Sequence, residues 1–130
     1  MARDSVEVVR MKGAKAAFGD KREAAFGKAA AAAPFTLRSL GLGSGVAALA
    51  AKGDEHQKIA EMIARWLVEG DNHFTLPEVQ GKRDSDQINE LMRRIAHCSR
   101  TDYRKAQIEA MGYVGWIKKL AQAFCPKEES

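Results

Sequence analysis

The stretch GLGSGVAALAAK, at residues 41–52, decides whether this chain has a nucleotide-binding α/β fold or an all-helical one. Gly43, Gly45 and Ala48 fit the G-x-G-x-x-G/A fingerprint, whose glycines let the backbone approach a pyrophosphate between a parallel strand and a helix N-terminus. The preceding PFTLRSL, residues 34–40, contains too few β-branched residues for a buried parallel strand. Because the fingerprint lacks this strand, we favour a packing helix over a phosphate-binding loop.

The same stretch has the spacing of a helix that runs from Pro34 to Lys52. Leucines and small side chains recur at steps of three and four and predict one narrow packing face: Leu37, Leu40, Gly41, Ser44, Ala48 and Ala51. Each glycine inside a helix costs ~1 kcal/mol relative to alanine, so these glycines need a compensating reason. Close approach of another backbone is the simplest reason, and we expect a larger side chain at Gly43 to crowd that contact.

Composition limits the chain to one domain without a β-sheet. It has 130 residues, of which 45% are hydrophobic, enough for one cored domain and too few for two. No segment combines apolar and polar alternation with enrichment in β-branched residues. We therefore expect an all-α fold, a single compact helical bundle of about five helices over residues 1–130.

Caps and breakers divide the first half of the chain. A first helix is expected over 1–33, bent or frayed at its glycines, with Phe18 and Phe26 projecting in similar directions. A further helix lies between Gly53 and Gly70. Its residues have the spacing of an amphipathic apolar stripe: Ile59, Met62, Ile63, Trp66 and Leu67.

The second half predicts a loop, two helices and a tail. Residues 71–83 form a loop that contains the turn-forming residues Pro77 and Gly81. A capping box at Asp84 begins one helix, and a second box at Ser99 begins a long final helix that ends before Pro126. Residues 126–130 then form a tail.

No constellation for catalysis or metal binding occurs in the sequence. Cys98 and Cys125 lack C-x-x-C spacing and are expected to be reduced thiols of a cytoplasmic protein. The three histidines lack ligand spacing, and there is no G-x-S-x-G elbow. A signal core and a membrane-spanning stretch are also absent from the sequence. We therefore expect a protein that is not an enzyme and has no cofactor, no metal and no membrane partner.

Helical carboxylates beside basic residues are expected to form solvated surface pairs. Arg65 follows Glu61 by four residues, and Arg94 follows Glu90 by four, which is the spacing of ion pairs on a helix surface. The carboxylates assigned to the surface in this way are Glu61, Glu69, Glu90 and Glu109.

The net charge of +4 is unevenly distributed along the chain. Residues 1–52 carry +5, residues 53–84 carry −3 and residues 85–130 carry +2. An excess of this size can serve a polyanion or simply keep a protein soluble. On the final helix aromatic residues are interleaved with basic ones, and we expect Tyr113 and Trp116 to lie in the core.

The final helix and the glycine-marked stretch carry a family resemblance. The segments YR at 103–104, EAM at 109–111 and WIKKLA at 116–121 resemble the closing signature of the small helical subunit of type III-B CRISPR effectors, the Cmr-type RAMP complexes. Upstream segments resemble the same family in the same order: Pro34, GLG at 41–43, KG at 52–53 and WL at 66–67. The similarity runs from about residue 34 to residue 121.

The resemblance implies a subunit without catalysis of its own, which stacks with copies of itself in the minor filament of the effector, along guide RNA and target RNA. Its partners are then the other subunits of the complex, one of which carries out cleavage. The RNA-facing surface is expected to be drawn from a pool of basic residues: Lys12, Lys15, Arg38, Arg104, Lys105, Lys118 and Lys119. Stacking is expected to join the basic first portion to the acidic middle, with Glu61 and Glu69 as candidates.

An independent DNA-binding regulator is the alternative. The helices expected at 85–98 and 99–124 could form a helix-turn-helix, in which the base-reading polar residues near the start of the second helix are Arg100, Thr101, Tyr103 and Arg104. This hypothesis is less favoured because the second helix is longer than a recognition helix needs and its apolar side continues to its end.

Overall fold

Six α-helices form the secondary structure in a computed structural model that describes residues 5–19, 23–70, 72 and 74–126. The helices are α1 Val6–Phe18, α2 Ala24–Leu40, α3 Leu42–Lys52, α4 Asp54–Glu69, α5 Gln87–His97 and α6 Arg100–Phe124. The described residues contain no strand, so the all-α prediction is confirmed, with one more helix than expected. Parts of the predicted N-terminal helix, of the 71–83 loop and of the 126–130 tail lie outside the described residues.

Two glycines determine where the first half of the chain breaks, and the predicted break at Pro34 is wrong. Pro34 is buried inside α2, whereas Gly41 has a φ of 84°, in the left-handed region that favours glycine. The helix predicted over 1–33 is likewise divided, because α1 ends before Gly19, which has a φ of 51°. The chain therefore has three helices where the periodicity predicted two.

The buried face of α3 differs from the predicted one. Leu42, Val46 and Leu49 are buried, whereas Ser44 and Ala51 are exposed. The predicted face assumed one continuous helix, but the break at Gly41 changes the direction in which α3 side chains project, so steps counted from α2 no longer apply.

Close backbone approach does occur in this stretch, but at a different glycine from the one expected. A Cβ atom at Gly45 would lie 2.7 Å from Cδ2 and 3.2 Å from Cα of Leu37. A Cβ atom at Gly43 would instead meet the Tyr103 hydroxyl at 3.8 Å, an ordinary contact. Gly45 is thus the position where α2 and α3 require the absence of a side chain.

The core forms where α2, α4 and α6 meet, with α1 packed on α6 and α5 on α4. The predicted stripe of α4 is buried, and Trp66 stacks on Tyr113 of α6 with a centroid distance of 4.9 Å. Phe18 and Phe26 pack edge to face across the α1–α2 connection, with centroids 5.7 Å apart. The prediction that Tyr113 lies in the core is confirmed, whereas Trp116 is only partly buried.

The start of α6 follows the sequence prediction, whereas the start of α5 does not. The Ser99 hydroxyl accepts a hydrogen bond from the Asp102 backbone N–H at 3.0 Å. At α5 the cap is Asp86, whose carboxylate accepts from the Asn89 N–H at 2.9 Å, and Asp84 instead accepts from the Asp86 N–H. The predicted cap at Asp84 is therefore displaced by two residues.

Candidate functional site

An open groove of about 410 Å³ lies between the C-terminal end of α2 and the first half of α6. Three arginines line it: Arg38, Arg100 and Arg104. None of the lining residues in the described part of the chain is acidic, so the local potential is positive. The groove therefore has the charge and the donor groups that favour an anionic ligand.

Antiparallel packing of α2 and α6 brings these arginines together. Gln107 of α6 donates from Nε2 to the Leu37 carbonyl oxygen of α2 at 3.1 Å. Tyr103 anchors the adjoining end of α3, because its hydroxyl accepts from the Gly43 N–H at 3.1 Å. Arg38, near the end of α2, consequently faces the first two turns of α6, although the two segments are distant in sequence.

The structure divides the predicted basic pool into separate regions. Arg38 and Arg104 line the groove, and Lys105 is an exposed neighbour of Arg104 on α6. Lys118 lies 14 residues beyond Arg104, which is ~21 Å along the helix axis at 1.5 Å per residue. Lys119 instead lies over the Trp116 ring, with Nζ 4.6 Å from the centroid.

The remaining two lysines of the pool are on α1, which packs against α6. Lys12 and Lys15 are exposed there. Arg10 attaches α1 to α6 by pairing with Glu109 at 3.0 Å, and Glu109 also accepts from Trp66 Nε1 at 2.9 Å. The lysines of α1 are thus held on a docked helix, but they are not among the residues that line the groove.

Arg100 belongs to the groove although it is absent from the predicted pool. It is the first residue of α6 and precedes Arg104 by one helical turn, so both project from the same side. This spacing of four was visible in the sequence. The involvement of Arg38 with that pair was not visible, because it depends on how α2 packs against α6.

The candidate stacking residues Glu61 and Glu69 are both exposed on α4. Glu69 forms an ion pair with Arg83, and Glu61 accepts from the Gln57 side chain at 3.5 Å. Arg65 lies between them and is also exposed, so this face of α4 carries mixed charge rather than acidic charge alone.

Two of the carboxylates predicted to be on the surface are buried. Glu90 and Glu109 are only 1% and 3% exposed, so the surface assignment is wrong for both. Glu90 accepts from Arg94 Nε at 2.8 Å, and Arg94, also buried, donates to the Leu76 carbonyl at 2.8 Å. The Arg94 hydrogen bond, with further bonds from Arg93 and from the Asp84 N–H, lowers the pKa of Glu90 to about 2.

This buried cluster also explains the shape of the long loop. Arg93 donates to the carbonyl oxygens of Val79 and Gln80 at 3.0 and 2.7 Å. Leu76 is buried, and its N–H donates to the Leu67 carbonyl at 3.0 Å. The loop residues from 74 onward are thus attached to α4 and α5 by apolar and polar contacts.

Other functional groups are sparse in the described residues. They contain no group of three or more histidine, cysteine or acidic side chains arranged to hold a metal ion. None of the helices within them has the length and apolar character needed to cross a membrane. Cys98 and Cys125 form no disulfide within the described residues, and burial raises the pKa of the Cys98 thiol.

The fold and the groove together define a small all-helical protein with an arginine-rich, anion-attracting surface. A family model described as CRISPR-associated protein (Cas_Cmr5) matches residues 2–124, nearly the whole chain. The chain therefore belongs to the Cas_Cmr5 family and is a small subunit of a Cmr-type, type III-B CRISPR complex. Comparison with curated proteins gives no match. Family membership favours the complex subunit over the independent DNA-binding regulator.

Proposed function

We propose that this subunit helps to hold guide RNA and its target within the Cmr complex through the arginine groove. The observation that carries the proposal is the convergence of Arg38, Arg100 and Arg104 on one groove that has no acidic lining residue among those the structure describes. Arginine is well suited to phosphate, because its planar guanidinium presents several donors in a fork. Contacts of this kind position a nucleic acid without reading its sequence.

The proposal assigns no catalytic step to the chain. Cas_Cmr5 proteins are structural subunits of the Cmr complex. Among the described residues, the groove is lined by arginines, a tyrosine and a glutamine, with no carboxylate or histidine for general acid or base chemistry. Cleavage of the target then belongs to another subunit. We place the protein in the cytoplasm with the rest of the complex.

We also propose that copies of the subunit stack in a filament beside the RNA. Such a contact joins one surface of each copy to a different surface of the next without closing a ring. Residues 1–52 carry +5 and residues 53–84 carry −3, which supports a contact between the first portion of one copy and α4 of the next. Electrostatic pairing of this kind guides orientation more than it adds affinity.

The groove is tested by replacing its three arginines together. We expect the variant Arg38→Ala, Arg100→Ala, Arg104→Ala to assemble into the complex and to capture RNA more weakly. Removing three phosphate contacts should reduce the slope of log affinity against log salt by about 2 for each subunit that contacts single-stranded RNA. Binding of labelled RNA by the reconstituted complex, measured over a salt series, gives both quantities.

A matched control removes the same charge elsewhere. Lys28, Lys52 and Lys82 are exposed and lie outside the groove. Replacement of these three residues by alanine lowers the net charge by the same amount as the groove variant does. A loss of RNA binding that occurs only in the groove variant is therefore caused by the groove and not by the overall charge. Unchanged capture and salt slope in the groove variant would contradict the proposal, as would equal losses in both variants.

A further inference from the structure

Two large apolar side chains are exposed beside the arginines of the groove. Phe35 of α2 is 69% exposed and Ile108 of α6 is 57% exposed, and Ile108 is itself one of the residues that line the groove. A single exposed apolar side chain needs no explanation, but apolar surface that adjoins a charged groove is typical of a binding surface.

The packing of α2 against α6 places both side chains at the same end of the groove. The hydrogen bond from Gln107 to the Leu37 carbonyl sets the register of these antiparallel helices. Phe35 comes two residues before Leu37, and Ile108 comes one residue after Gln107. Both are therefore displaced from this bond in the same direction, by ~3 Å and ~1.5 Å along the helix axes. They lie at nearly the same level of the two helices.

Phe35 and Ile108 also project from the groove side of their helices. Phe35 precedes Arg38 by three residues, and Ile108 follows Arg104 by four. Residues at these spacings are neighbours on a helix surface, and both arginines line the groove. The surface thus has its arginines towards the start of α6 and an apolar end towards the middle of α6.

A ligand that fits this surface carries anionic groups and a flat apolar face close together. The guanidinium groups donate hydrogen bonds to phosphate oxygens, and an exposed phenyl ring stacks on a nucleobase. A single strand of RNA offers both, because its unpaired bases can turn outwards. In a duplex the faces of the bases are covered by their neighbours, so only the phosphates are available.

We propose that Phe35 stacks on an unpaired base of an RNA strand whose phosphates lie against the groove arginines, with Ile108 packed against the same nucleotide. The inference rests on the proposed RNA-holding function and adds the form of RNA that the groove takes, which is a single-stranded stretch. Every base has a face that can stack, so this contact holds RNA without reading its sequence.

The test compares three labelled probes on the full-length chain at low salt. They are a single-stranded RNA, a ribose-phosphate strand of the same length without bases, and the same RNA paired with its complement. We expect the wild-type chain to bind the RNA about five- to tenfold more tightly than the abasic strand, the effect of stacking one base. In Phe35→Ala this ratio should fall to about twofold or less, and duplex affinity should not change. Fluorescence anisotropy measures all three affinities, and a general weakening of the groove cancels in the ratio.

Two further variants distinguish stacking from a general effect of apolar surface. Phe35→Trp keeps a flat aromatic ring and should keep the ratio. Leu40→Ala is the matched control, because Leu40 is also exposed near the end of α2 but is two residues from Arg38 and projects from a different side. Equal binding of RNA and abasic strand by the wild-type chain would overturn the inference. A ratio retained in Phe35→Ala, or lost equally in Leu40→Ala, would also overturn it.

The same assay separates this inference from the proposed function. If replacing the three groove arginines leaves binding of the RNA and of the abasic strand intact, the groove does not hold RNA and the proposed function fails. If that variant loses both probes while Phe35→Ala keeps the ratio, the groove holds RNA and only the role of Phe35 is wrong. If Phe35→Ala keeps the ratio but lowers the number of copies in the reconstituted complex, the apolar end is a contact between protein subunits, and the inference is rejected.

Discussion

At the residue scale, Gly45 is a position where close packing requires glycine, whereas Gly43 is a position with room for a side chain. A Cβ atom at Gly45 would lie 2.7 Å from Leu37 Cδ2, whereas one at Gly43 would have ordinary clearance. We expect Gly45→Ala to lower the free energy of unfolding by about 1–3 kcal/mol, the cost of overpacking. Gly43→Ala, in the first turn of the same helix, is the matched control and should be neutral or stabilising. Chemical denaturation of both variants measures the difference, and equal stabilities would contradict this account of the α2–α3 contact.

The ionisation of the Glu90 carboxylate makes the stability of the fold depend on pH. The hydrogen bond from Arg94 lowers its folded-state pKa from the ordinary 4.5 to about 2. A lowered pKa means that Glu90 stabilises the fold above its unfolded-state pKa and loses this contribution as the pH falls towards 2. We expect Glu90→Gln to cost about 3 kcal/mol at neutral pH, because Arg94 then lacks its buried partner.

A more specific test is to measure the free energy of unfolding of the wild type and of Glu90→Gln over a range of pH. The stability gap between wild type and Glu90→Gln should be constant at neutral pH and shrink once the pH falls below about 4.5. Glu61→Gln is a suitable control because Glu61 is exposed, and its gap should be small throughout. A Glu90→Gln gap independent of pH would mean that the ionised carboxylate does not stabilise the fold.

At the element scale, α1 buries only a few of its side chains against the rest of the protein. Only Ala14 and Phe18 of α1 are buried, and Gly13 packs so closely on Trp66 that a Cβ atom would lie 2.2 Å from the ring. We expect Gly13→Ala to lower the melting temperature, because α1 must shift away from the indole. Gly115→Ala should instead raise it, because a Cβ atom there would meet nothing within 4 Å. Thermal unfolding of the pair decides this, and a stabilising Gly13→Ala would contradict the packing described.

Helix boundaries could be predicted from the sequence where they depend on residues that are close together in the chain. Ser99 and its partner Asp102 are neighbours in the chain, so the start of α6 was predictable from local chemistry. The break at Gly41 was not predicted, because the sequence around Pro34 offered another plausible boundary; the chain instead breaks at Gly41, whose φ of 84° favours glycine. The presence of a glycine in the sequence does not by itself show where a helix will end.

In the candidate site too, features that depend on residues close in sequence could be predicted, whereas features that depend on tertiary packing could not. The basic character of α6 was evident, and the i, i+4 relation of Arg100 and Arg104 follows from helix geometry. Their meeting with Arg38 depends on antiparallel packing of α2 and α6, which no local pattern encodes. Burial of Glu90 was missed for a similar reason, since its spacing to Arg94 is the same in a surface pair and in a buried one.

At the scale of the whole molecule, the mixed charge on α4 bears on how copies stack. Glu61 and Glu69 are exposed, and the pair between Glu69 and Arg83 is itself solvent-exposed and contributes little to stability. We expect Glu61→Lys with Glu69→Lys to leave the monomer folded and to reduce the number of copies in the reconstituted complex. A control, Glu7→Lys with Glu78→Lys, makes the same charge change at exposed residues outside α4. Native mass measurement counts the copies, and full incorporation of the α4 variant would place the stacking surface elsewhere.

The central claim is that the arginine groove is where this subunit meets RNA, and photo-cross-linking in the assembled complex tests it most directly. Thiouridine-substituted guide and target RNA would be cross-linked to the wild-type complex, and the attached peptides of this subunit identified by mass spectrometry. We expect attachment within the first turns of α6, between Arg100 and Ile108, and its loss when Arg38, Arg100 and Arg104 are replaced by alanine. Attachment confined to the region of Lys118 and Lys119, or none to this subunit, would contradict the account.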